Sequence, residues 1–461
     1  MRAIINPRQM RVIDAEAVSA GLSLDVLIHR AGEAVARIAR RMMGGVYGRT
    51  VVLVVGRGNN GADGRWAGRL LADRGVRVHV LEADKMPLRL PKCDLIIDAA
   101  YGTGFRGEWS PPSTRGIPVL AVDIPSGLDG LTGRAGPHVW KADRTATFVA
   151  LKPGLLFGQG PAVSGEIEVV DIGINLGRDS VDTNQVEESD VSNWLPQRPV
   201  GAHKWNAAVF VLAGSPMMMG AAHLVCRAAM RMSAGIVHAA TPGIGNGKSL
   251  PTEIVGRSLP LLGWASEVVA DSERFQSIVV GPGLGRDDST ATETRRVISQ
   301  AQIPMVVDGD GLFCVSWGGE GARDIIRSRA AATVVTPHDG EYAMLLGDKP
   351  SPDRLASARR MAIDLNCVCL LKGPTTVVAE PSGEALVISN ADQRLATAGS
   401  GDVLAGMIGA LLARGVQPFH AAATAAWIHG RAASLFPHEE GLIASDVVDL
   451  IPRAVSETSR A

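Results

Sequence analysis

Two carboxylates and one glycine-rich segment in the first third of the chain each follow a short apolar run. Asp98 ends the run DLIID, Asp123 ends PVLAVD, and the segment Gly56-Arg-Gly-Asn-Asn-Gly61 follows TVVLVV. Open parallel sheets bind their ligands at the carboxyl ends of the strands. If these runs are neighbouring strands, the residues predict a single crevice that receives a carboxylate from each of two strands.

The glycine-rich segment formally fits the GxGxxG fingerprint of dinucleotide-binding domains. Glu82 lies about 20 residues further on, where that motif places an acid for the ribose. However, Asn59, Asn60 and Asp63 supply oxygens that suit a cation and a polar substrate better than a phosphate alone. A dehydrogenase stays a rival at this point, as does a structural interpretation in which Asn-Asn-Gly is a turn and Asp63 caps a helix.

The elements that must position these residues follow from the alternation of apolar runs and helical stretches. Strands are predicted at 50–56, 76–82, 94–98 and 118–123, with a helix from about Ala62 to Gly75. The later runs ATFVAL and GEIEVVDIGI are predicted to close the same sheet. Continuous Val, Ile and Leu runs indicate a parallel sheet covered on both faces.

Four motifs occur in order over about 170 residues: GRGNNGADG, DAAYGTGFRGE, DIPSGLDG and TFVALKPGL. With Met10, Asp14 and the segment 30–32, they resemble NAD(P)H-hydrate epimerases of the YjeF N-terminal type. The resemblance implies a Rossmann-like three-layer α/β/α domain over residues 1–185. The family usually has glycine where this chain has Ala62.

This resemblance also implies residue roles. Asp123 and Lys152 would lie at the reacting centre, where a carboxylate beside a lysine can exchange protons at the carbon that bears the hydroxyl. A potassium ion would be held by Asn60, Asp98 and Ser126. The hydrated nucleotide would be contacted by Asn59, Asn60, Gly61, Ala62, Asp63, Gly102, Thr103, Gly104, Phe105, Arg106, Gly107, Glu108 and Asp123.

A polar segment from about Asn175 to His203 separates this part of the chain from a second alternating series. Its acidic stretch at 179–190 is typical of a solvated linker. The second series is predicted to have a helix from about Met219 to Ala234 and further helices at its end. Its predicted strands are AAVFVLAG, GIVHAAT, QSIVVG, PMVVD, ATVVTP, CVCLLKG, TTVVAE and ALVIS.

The second series contains a glycine-rich turn, Gly399-Ser-Gly-Asp402, directly before the helical pattern VLAGMIGALLARG. A helix N-terminus offers free N–H groups and the positive end of its dipole, which suits a transferring phosphoryl group. Asp402 is then a natural base for a substrate hydroxyl. Alternatively, it is an ordinary first-turn residue of a capped helix. GPGLG, TPHDGE and KGPTT follow other predicted strands, which indicates one ligand-binding rim.

The set GPGLG, DGDGL, TPHDGE, KGPTT and TAGSGD, introduced by HKW, resembles the ADP- or ATP-dependent NAD(P)H-hydrate dehydratases of the ribokinase-like superfamily. The resemblance implies a C-terminal ribokinase-like α/β domain at 193–461, entered through a linker at 186–203. The hydrate would be bound by Gly283, His338, Asp339, Gly340, Glu341, Tyr342, Ala343, Met344 and Asp402. The nucleotide would be bound by Lys372, Gly373, Pro374, Thr375, Thr376, Asp392, Gln393, Arg394, Leu395, Ala396, Thr397, Ala398, Gly399, Ser400 and Gly401.

Several positions depart from the dehydratase pattern. Trp205 and Ala208 stand where the family has glycines, and DGDGL stands where DADAL is common. The segment SNADQRLATAGSGD also replaces a more glycine-rich version. Lys372 and Asp402 themselves are unaffected, so the resemblance still implies ADP, or else ATP, with magnesium.

Taken together, the two resemblances imply an enzyme that repairs hydrated NADH and NADPH. The first domain would interconvert the R and S hydrates, and the second would dehydrate the S hydrate with release of phosphate and AMP, or ADP if ATP is used. Three rivals remain open: a ribokinase-superfamily small-molecule kinase with a regulatory nucleotide-binding N-terminal domain, the dehydrogenase, and a nucleotide sensor or scaffold without turnover.

Composition limits the remaining possibilities. A length of 461 residues favours two domains, and a formal net charge of -1 offers no footprint for nucleic acid or an anionic membrane. The five cysteines form no CxxC pair, and the N-terminus lacks the apolar core of a signal peptide. We therefore expect a cytoplasmic protein with a small-molecule substrate, no nucleic-acid or membrane partner, and a homo-oligomeric state.

Overall fold

A computed structural model of the chain describes residues 1–105, 107–177, 181–244, 250–317, 321 and 323–459. The chain divides into two compact units. The first comprises Arg2–Thr183, and the second comprises Asn184–Ala461 together with Met1. Each unit is built around its own sheet.

Six strands of the first unit and its helix Asn59–Ala72 are those that the sequence predicts, with boundaries displaced by a few residues. Its strands are β1 (Arg2–Ala3), β2 (Thr50–Val55), β3 (Arg77–Glu82), β4 (Leu95–Ala99), β5 (Val119–Val122), β6 (Arg144–Phe148) and β7 (Glu166–Val170). Its helices are α1 (Pro7–Ser19), α2 (Leu24–Met43), α3 (Asn59–Ala72), α4 (Pro153–Leu156) and α5 (Gly160–Val163).

Six strands of the first unit form a parallel sheet in the order β3-β2-β4-β5-β6-β7. One face buries Val51, Leu53 and Leu95 beneath α1, α2 and α3. The other face buries Val52 and Ile96 beneath side chains of the connecting loops, including two tryptophans. Burial on both faces is what uninterrupted apolar strands predict, and the order brings the ends of β2, β4 and β5 together.

The second unit is larger. Its strands are β8 (Thr183–Gln185), β9 (Ala208–Leu212), β10 (Ile236–Pro242), β11 (Val255–Leu259), β12 (Ser277–Val280), β13 (Met305–Val307), β14 (Thr333–Val335), β15 (Val368–Leu371), β16 (Thr376–Ala379) and β17 (Ala385–Ile388). Its helices are α6 (Glu188–Trp194), α7 (Met219–Arg231), α8 (Ala265–Ser272), α9 (Asp288–Gln300), α10 (Asp310–Ser316), α11 (Asp324–Arg327), α12 (Asp339–Leu346), α13 (Arg354–Leu365), α14 (Ser400–Ala413), α15 (Pro418–Ser434) and α16 (Ala444–Thr458).

The strands of this unit lie in the order β8-β17-β16-β15-β14-β13-β12-β9-β10-β11. Pairing is parallel from β11 through β15 and antiparallel at β15–β16 and β16–β17. One face packs on α7, α14, α15 and α16, while α13 packs on β15 and β16. The carboxyl ends of β12, β13, β14 and β15 are therefore adjacent, and they position the second site.

The expectation of a solvated linker at 179–190 is wrong from Thr183 onward, and the predicted linker at 186–203 contains helix α6. Thr183 and Gln185 are buried in β8, and α6 buries Val191 against α15. The acidic residues conceal this order because Glu188 and Asp190 lie in the first turn of α6, where they complement the helix dipole. Residues 178–180 lie outside the described residues.

The uncharged stretch from Trp205 to Cys226 forms β9, a turn and the start of α7, as predicted. Across the described ranges, we find no helix whose length and hydropathy would let it cross a membrane. All five cysteines are free thiols.

Candidate active sites

The first unit contains a cavity of about 500 Å³ at the carboxyl ends of β2, β4 and β5. Helices α1 and α2 border it through Met10, Asp14 and Leu27. Of the predicted epimerase residues, those that line it are Asn59, Asn60, Asp63, Gly102, Thr103, Gly104, Phe105, Asp123 and Lys152. The predicted crevice thus corresponds to a pocket at the strand ends.

A buried ion pair stands in this cavity. The Lys152 Nζ lies 2.9 Å from Asp123 Oδ1, and the lysine side chain is only 2% exposed. The same Nζ donates to Thr147 Oγ1 at 2.9 Å and to the Phe148 carbonyl oxygen at 2.8 Å. Asp123 has a φ of 67°, which turns the chain sharply after β5. The ammonium is therefore fully satisfied and fixed against the carboxylate.

Two further carboxyl groups, those of Asp14 and Asp63, line the cavity. Burial, with smaller contributions from Asp123 and Asp14, raises the pKa of Asp63 to about 8. Burial also raises the pKa of Asp14, opposed by Lys152 and reinforced by Asp123. Burial therefore favours the protonated form of both carboxyl groups. The cavity therefore combines the Asp123–Lys152 ion pair with two carboxyl groups whose pKa is raised.

Of the three residues implied for potassium, Asp98 and Ser126 are hydrogen-bonded to each other at the end of β4, and Asn60 lines the cavity. Asp98 is fully buried; Ser126 donates to its two oxygens from Oγ at 2.6 Å and from N at 2.9 Å. Burial raises the pKa of Asp98 to about 6, against these hydrogen bonds. Both polar side-chain atoms of Asn60 are buried without a hydrogen-bond partner. Oxygen donors of this kind fit potassium, and the orphaned amide leaves an oxygen available for it.

Close backbone contacts require glycine where the glycine-rich segment enters α3. A Cβ on Gly61 would lie 2.1 Å from the Gly56 carbonyl oxygen. Gly58 is the N-cap residue of α3, and no side chain caps that helix, so Asp63 is not a capping residue. Glu82, the acid that a dehydrogenase would use, pairs with Arg65 at 3.0 Å from both carboxylate oxygens.

Some predicted epimerase residues do not line the cavity. Gly61 is buried within the turn, and Ala62 follows it in α3. Gly107 and Glu108 are exposed. Arg106 lies outside the described residues.

The second unit places a charged cluster at the ends of β13, β14 and β15. Lys372 Nζ lies 2.9 Å from Asp308 Oδ1 and 3.6 Å from Glu341 Oε2. A Cβ on Gly401 would lie 3.4 Å from that nitrogen, so the ammonium touches the glycine-rich turn. Burial disfavours the charged lysine, but attraction to Asp308 and Glu341 outweighs burial and raises its pKa. The cluster offers a fixed cation beside a helix N-terminus.

Asp402 stands in the first turn of α14 and forms no capping bond there. Burial raises its pKa to about 7, as does repulsion by Asp308, while Lys372 lowers it. A carboxylate with this pKa is half-ionised near neutral pH and can accept a proton. This favours the base over the ordinary first-turn residue.

The predicted hydrate-binding segment at α12 is partly committed to its own helix. His338 Nδ1 accepts from the backbone N–H groups of Gly340 and Glu341, and Glu341 Oε2 accepts from the His338 N–H. Asp339 pairs with Arg354, and Tyr342 is 1% exposed. The exposed face at the start of α12, rather than Tyr342, is what a ligand can reach; Ala343 and Met344 are half-buried.

The predicted nucleotide segments form two turns. Lys372 N donates to the Pro337 carbonyl, and Thr376 Oγ1 donates to the Gly373 carbonyl at 3.5 Å. Asp392 caps the short 3₁₀ helix Gln393–Leu395 and pairs with Arg394. Ser400 Oγ then donates to the Leu395 carbonyl, which joins this segment to the Gly399 turn. The two turns approach each other at Lys372 and Gly401, since a Cβ on Gly401 would lie 3.4 Å from the Lys372 Nζ.

The turn after β12 completes the rim. A Cβ on Gly281 would lie 2.0 Å from the Asp308 carbonyl oxygen, so only glycine fits. A Cβ on Gly283 would lie 3.1 Å from the Met218 carbonyl oxygen, so this turn packs on the start of α7. Asp310 accepts from the Gly285 N–H at 3.0 Å and from Arg286 Nε at 2.6 Å.

Comparisons with known proteins follow the same division of the chain. Residues 209–453 match the family model described as NAD(P)H-hydrate dehydratase, and 24–89 with 81–154 match YjeF-related protein N-terminus. A bifunctional NAD(P)H-hydrate repair enzyme of Mycobacterium leprae is 37% identical, over 97% of this chain and 97% of its own. The one from Salinibacter ruber is 33% identical, over 95% and 93%. The chain belongs to the bifunctional NAD(P)H-hydrate repair enzymes.

A solved structure supports the fold of the second unit. The ADP/ATP-dependent NAD(P)H-hydrate dehydratase of Bacillus subtilis, co-crystallised with ATP and Mg²⁺, is 27% identical with a TM-score of 0.50. The match covers 59% of this chain and 97% of that one. As a member of this family, the chain is an enzyme that combines an NAD(P)H-hydrate epimerase unit with an ADP/ATP-dependent dehydratase unit of ribokinase-like α/β fold.

The structure adds residues that sequence reasoning did not assign to either site. Asp14 was noted only as agreeing with the epimerase family, yet the spacing of Pro7, Met10 and Asp14 puts them on one helical face. Asp308 and Asp310 lie in the motif DGDGL, which is part of the dehydratase resemblance, but neither residue is among the predicted site residues. Their position at the end of a predicted strand was a usable signal, because the same reasoning selected Asp98 and Asp123.

Proposed function

We propose that the epimerase unit interconverts the R and S hydrates of NADH and NADPH and that the dehydratase unit consumes the S hydrate with ADP. The observation that carries this proposal is the lysine–carboxylate arrangement at the strand ends of each unit. One is the Asp123–Lys152 pair in a cavity, and the other is Lys372 beside Asp402 and the Gly399 turn.

In the dehydratase unit, Asp402 removes the proton from the ring hydroxyl. The hydroxyl oxygen then attacks the terminal phosphorus of ADP, and AMP departs with the electron pair of the broken P–O bond. The ring C–O bond breaks next, and phosphate leaves with its electrons. A proton leaves the adjacent ring carbon, and the resulting double bond restores the reduced cofactor. Lys372 and the N–H groups at the start of α14 neutralise the phosphate charge.

In the epimerase unit, the hydrate occupies the cavity with the carbon that bears its hydroxyl near Asp123 and Lys152. The Asp123 carboxylate accepts a proton, and Lys152, which is fixed beside it, stabilises the charge that develops. Asn60, Asp98 and Ser126 would hold the potassium ion, whose charge would help to bind the polar substrate. The orphaned Asn60 amide supports this role.

Magnesium would accompany the nucleotide phosphates. Among the residues that the structure describes, no group of three or more His, Cys, Asp or Glu side chains is arranged to hold a metal. We therefore assign magnesium to the nucleotide itself. We further propose cytoplasmic action, which the free cysteines support, and a homo-oligomeric state with no nucleic-acid or membrane partner.

The test is an incubation of the purified enzyme with mixed epimers of hydrated NADH, with and without ADP, in potassium buffer. We expect complete return of NADH absorbance with ADP, release of AMP and phosphate, and lower rates with ATP under matched conditions. Conversion that stops after one epimer would remove the epimerase assignment. Accumulation of a stable phosphorylated product would favour the small-molecule kinase.

A further inference from the structure

The nearest carboxylate to Lys372 is Asp308, which has no part in the proposed function as stated above. Its side chain is 3% exposed, and its Oδ1 lies 2.9 Å from Lys372 Nζ. Its other oxygen, Oδ2, lies 3.7 Å from where a Cβ on Gly401 would be. The Asp308–Lys372 pair therefore stands directly against the turn that is proposed to bind phosphate.

The backbones of both residues are fixed. Asp308 N donates to the Val280 carbonyl, and the Asp308 carbonyl accepts from Gly311 N at 3.0 Å. Lys372 N donates to the Pro337 carbonyl, and Arg354 donates to the Lys372 carbonyl at 2.7 Å. Because both main chains are clamped, the position of the Lys372 ammonium depends on what attracts the flexible end of its side chain. In this structure Asp308 is its closest partner.

We propose that Asp308 is a positioning residue of the dehydratase site, which holds the Lys372 ammonium against the Gly399–Asp402 turn and prevents it from pairing with Asp402. The proposal rests on the proposed role of Asp402 as the base. With Asp308 in this role, the Lys372 ammonium binds the phosphate, and the carboxylate of Asp402 stays available for the hydroxyl proton.

The charged groups that act on Asp402 are Asp308, Lys372, Asp310 and Glu341. Asp310 is neutralised by Arg286, whereas Asp308 and Glu341 share Lys372. Removal of the Asp308 charge would have two effects on Asp402 in the same direction. The repulsion from Asp308 would disappear, and Lys372 would be free to attract Asp402. Both effects lower the pKa of Asp402.

The experiment compares Asp308→Asn, which removes the charge at constant size, with Asp308→Glu, which keeps it. The acidic limb of dehydratase kcat/KM against pH reports the ionisation of the base in the free enzyme. We expect this limb to move to lower pH by about one unit in Asp308→Asn, because a like charge that acts on Asp402 is lost. Asp308→Glu should keep the limb close to that of the wild type. Any titration of ADP is common to all variants, so the difference reports on the protein.

Thermal unfolding and calorimetric binding of ADP would verify that each variant folds, and Asp308→Ser replaces Asp308→Asn if the latter does not. An acidic limb at the wild-type pH in a folded, charge-free variant overturns the proposal. Asp402→Asn separates this failure from failure of the proposed function. If Asp402→Asn retains turnover, the base assignment is wrong; if it is inactive while the limb of Asp308→Asn is unmoved, only the role of Asp308 is wrong.

Discussion

The two units both set a lysine among carboxylates at the ends of parallel strands, but they pair it differently. In the epimerase unit, Lys152 is bound to Asp123, the carboxylate proposed to react, and both belong to one fixed pair. In the dehydratase unit, Lys372 is bound to Asp308, and the proposed base Asp402 is left without the ammonium. The lysine is therefore paired with the proposed reacting carboxylate in the first unit and with a different carboxylate in the second.

The difference follows from what each reaction must stabilise. Epimerisation neither takes up nor releases a proton overall. The Asp123–Lys152 pair and Asp63, whose pKa is raised, can therefore accept and donate protons within the same cavity. Phosphoryl transfer needs a cation at the phosphate and a base at the hydroxyl, and direct pairing of the two would weaken both. A second carboxylate, Asp308, keeps them apart in the structure.

The largest expected effect is that of Asp402→Asn. In this cluster Lys372 pairs with Asp308, and Asp402 makes no capping hydrogen bond at the start of α14. We expect dehydration to fall by about 10⁴-fold, the upper range for loss of a general base. Epimerisation should be unchanged in the same preparation. The measurement is the return of NADH absorbance from the S hydrate with ADP; a loss below tenfold would contradict the comparison.

Asp123→Asn should have a smaller effect on its own reaction. Asparagine accepts the positive φ at this position better than alanine does, so the fold should be kept. We expect epimerisation to fall by about 10²-fold, since Asp14, Asp63 and Lys152 remain to exchange protons. The R-to-S rate would be followed by chromatography of the two epimers. Asp123→Ala is the harsher variant, and normal epimerisation in either would remove Asp123 from the mechanism.

The Asp123→Asn variant also tests how much the buried ion pair contributes to the stability of the fold. Lys152 is 2% exposed, so loss of the Asp123 charge leaves a buried ammonium without a counter-ion. We expect the free energy of unfolding to fall by up to about 3 kcal/mol, limited by the oxygen acceptors that remain. The double variant Asp123→Asn with Lys152→Met should recover stability without recovering activity. Recovery of both would contradict the proposed roles.

Much of the fold and part of each site could be predicted from the sequence, because strand-length apolar runs and the turns that follow them are local signals. Asp98, Asp123 and the Gly399 turn were found in this way. The strand Val255–Leu259 was missed because it lies at the sheet edge, where exposed Val255 and polar neighbours obscure the pattern. The strand Thr183–Gln185 was missed because it has no apolar residue at all.

The pairings within each site could not be predicted, since they depend on distance in space rather than in sequence. Asp308 and Lys372 are 64 residues apart and meet only because β13, β14 and β15 are adjacent. Asp123 and Val149, which lie at the ends of neighbouring strands, both have a φ of 67°, and a positive φ at a β-branched valine is not predicted by its residue type.

Asp63→Asn tests the proton that the epimerase cavity is proposed to hold. A raised carboxyl pKa means that the folded state binds a proton more tightly than the unfolded state does. Its contribution to stability is therefore full below the ordinary pKa of 3.8 and is lost as pH rises through about 8. Between pH 5 and pH 9, we expect the free energy of unfolding of the wild type to fall relative to that of Asp63→Asn. The upper limit of this fall is roughly 1.4 kcal/mol for each unit by which folding raises the pKa of Asp63. Denaturant unfolding at several pH values measures this. Parallel pH curves for the two proteins would show that Asp63 is ionised throughout.

Glu82→Gln should have the smallest effect. This variant tests whether the substrate reaches Glu82, the residue that a dehydrogenase would use to bind the ribose. Glu82 ends β3 and pairs with Arg65, with both side chains about 40% exposed, and it does not line the cavity. An exposed ion pair contributes less than about 1 kcal/mol, so stability should scarcely change. The epimerase KM for the hydrate should also stay within about twofold, because that effect corresponds to only a few tenths of a kcal/mol. A tenfold rise in KM would mean that the substrate reaches Glu82, and the ligand would then extend across the end of β3 as it does in a dinucleotide fold.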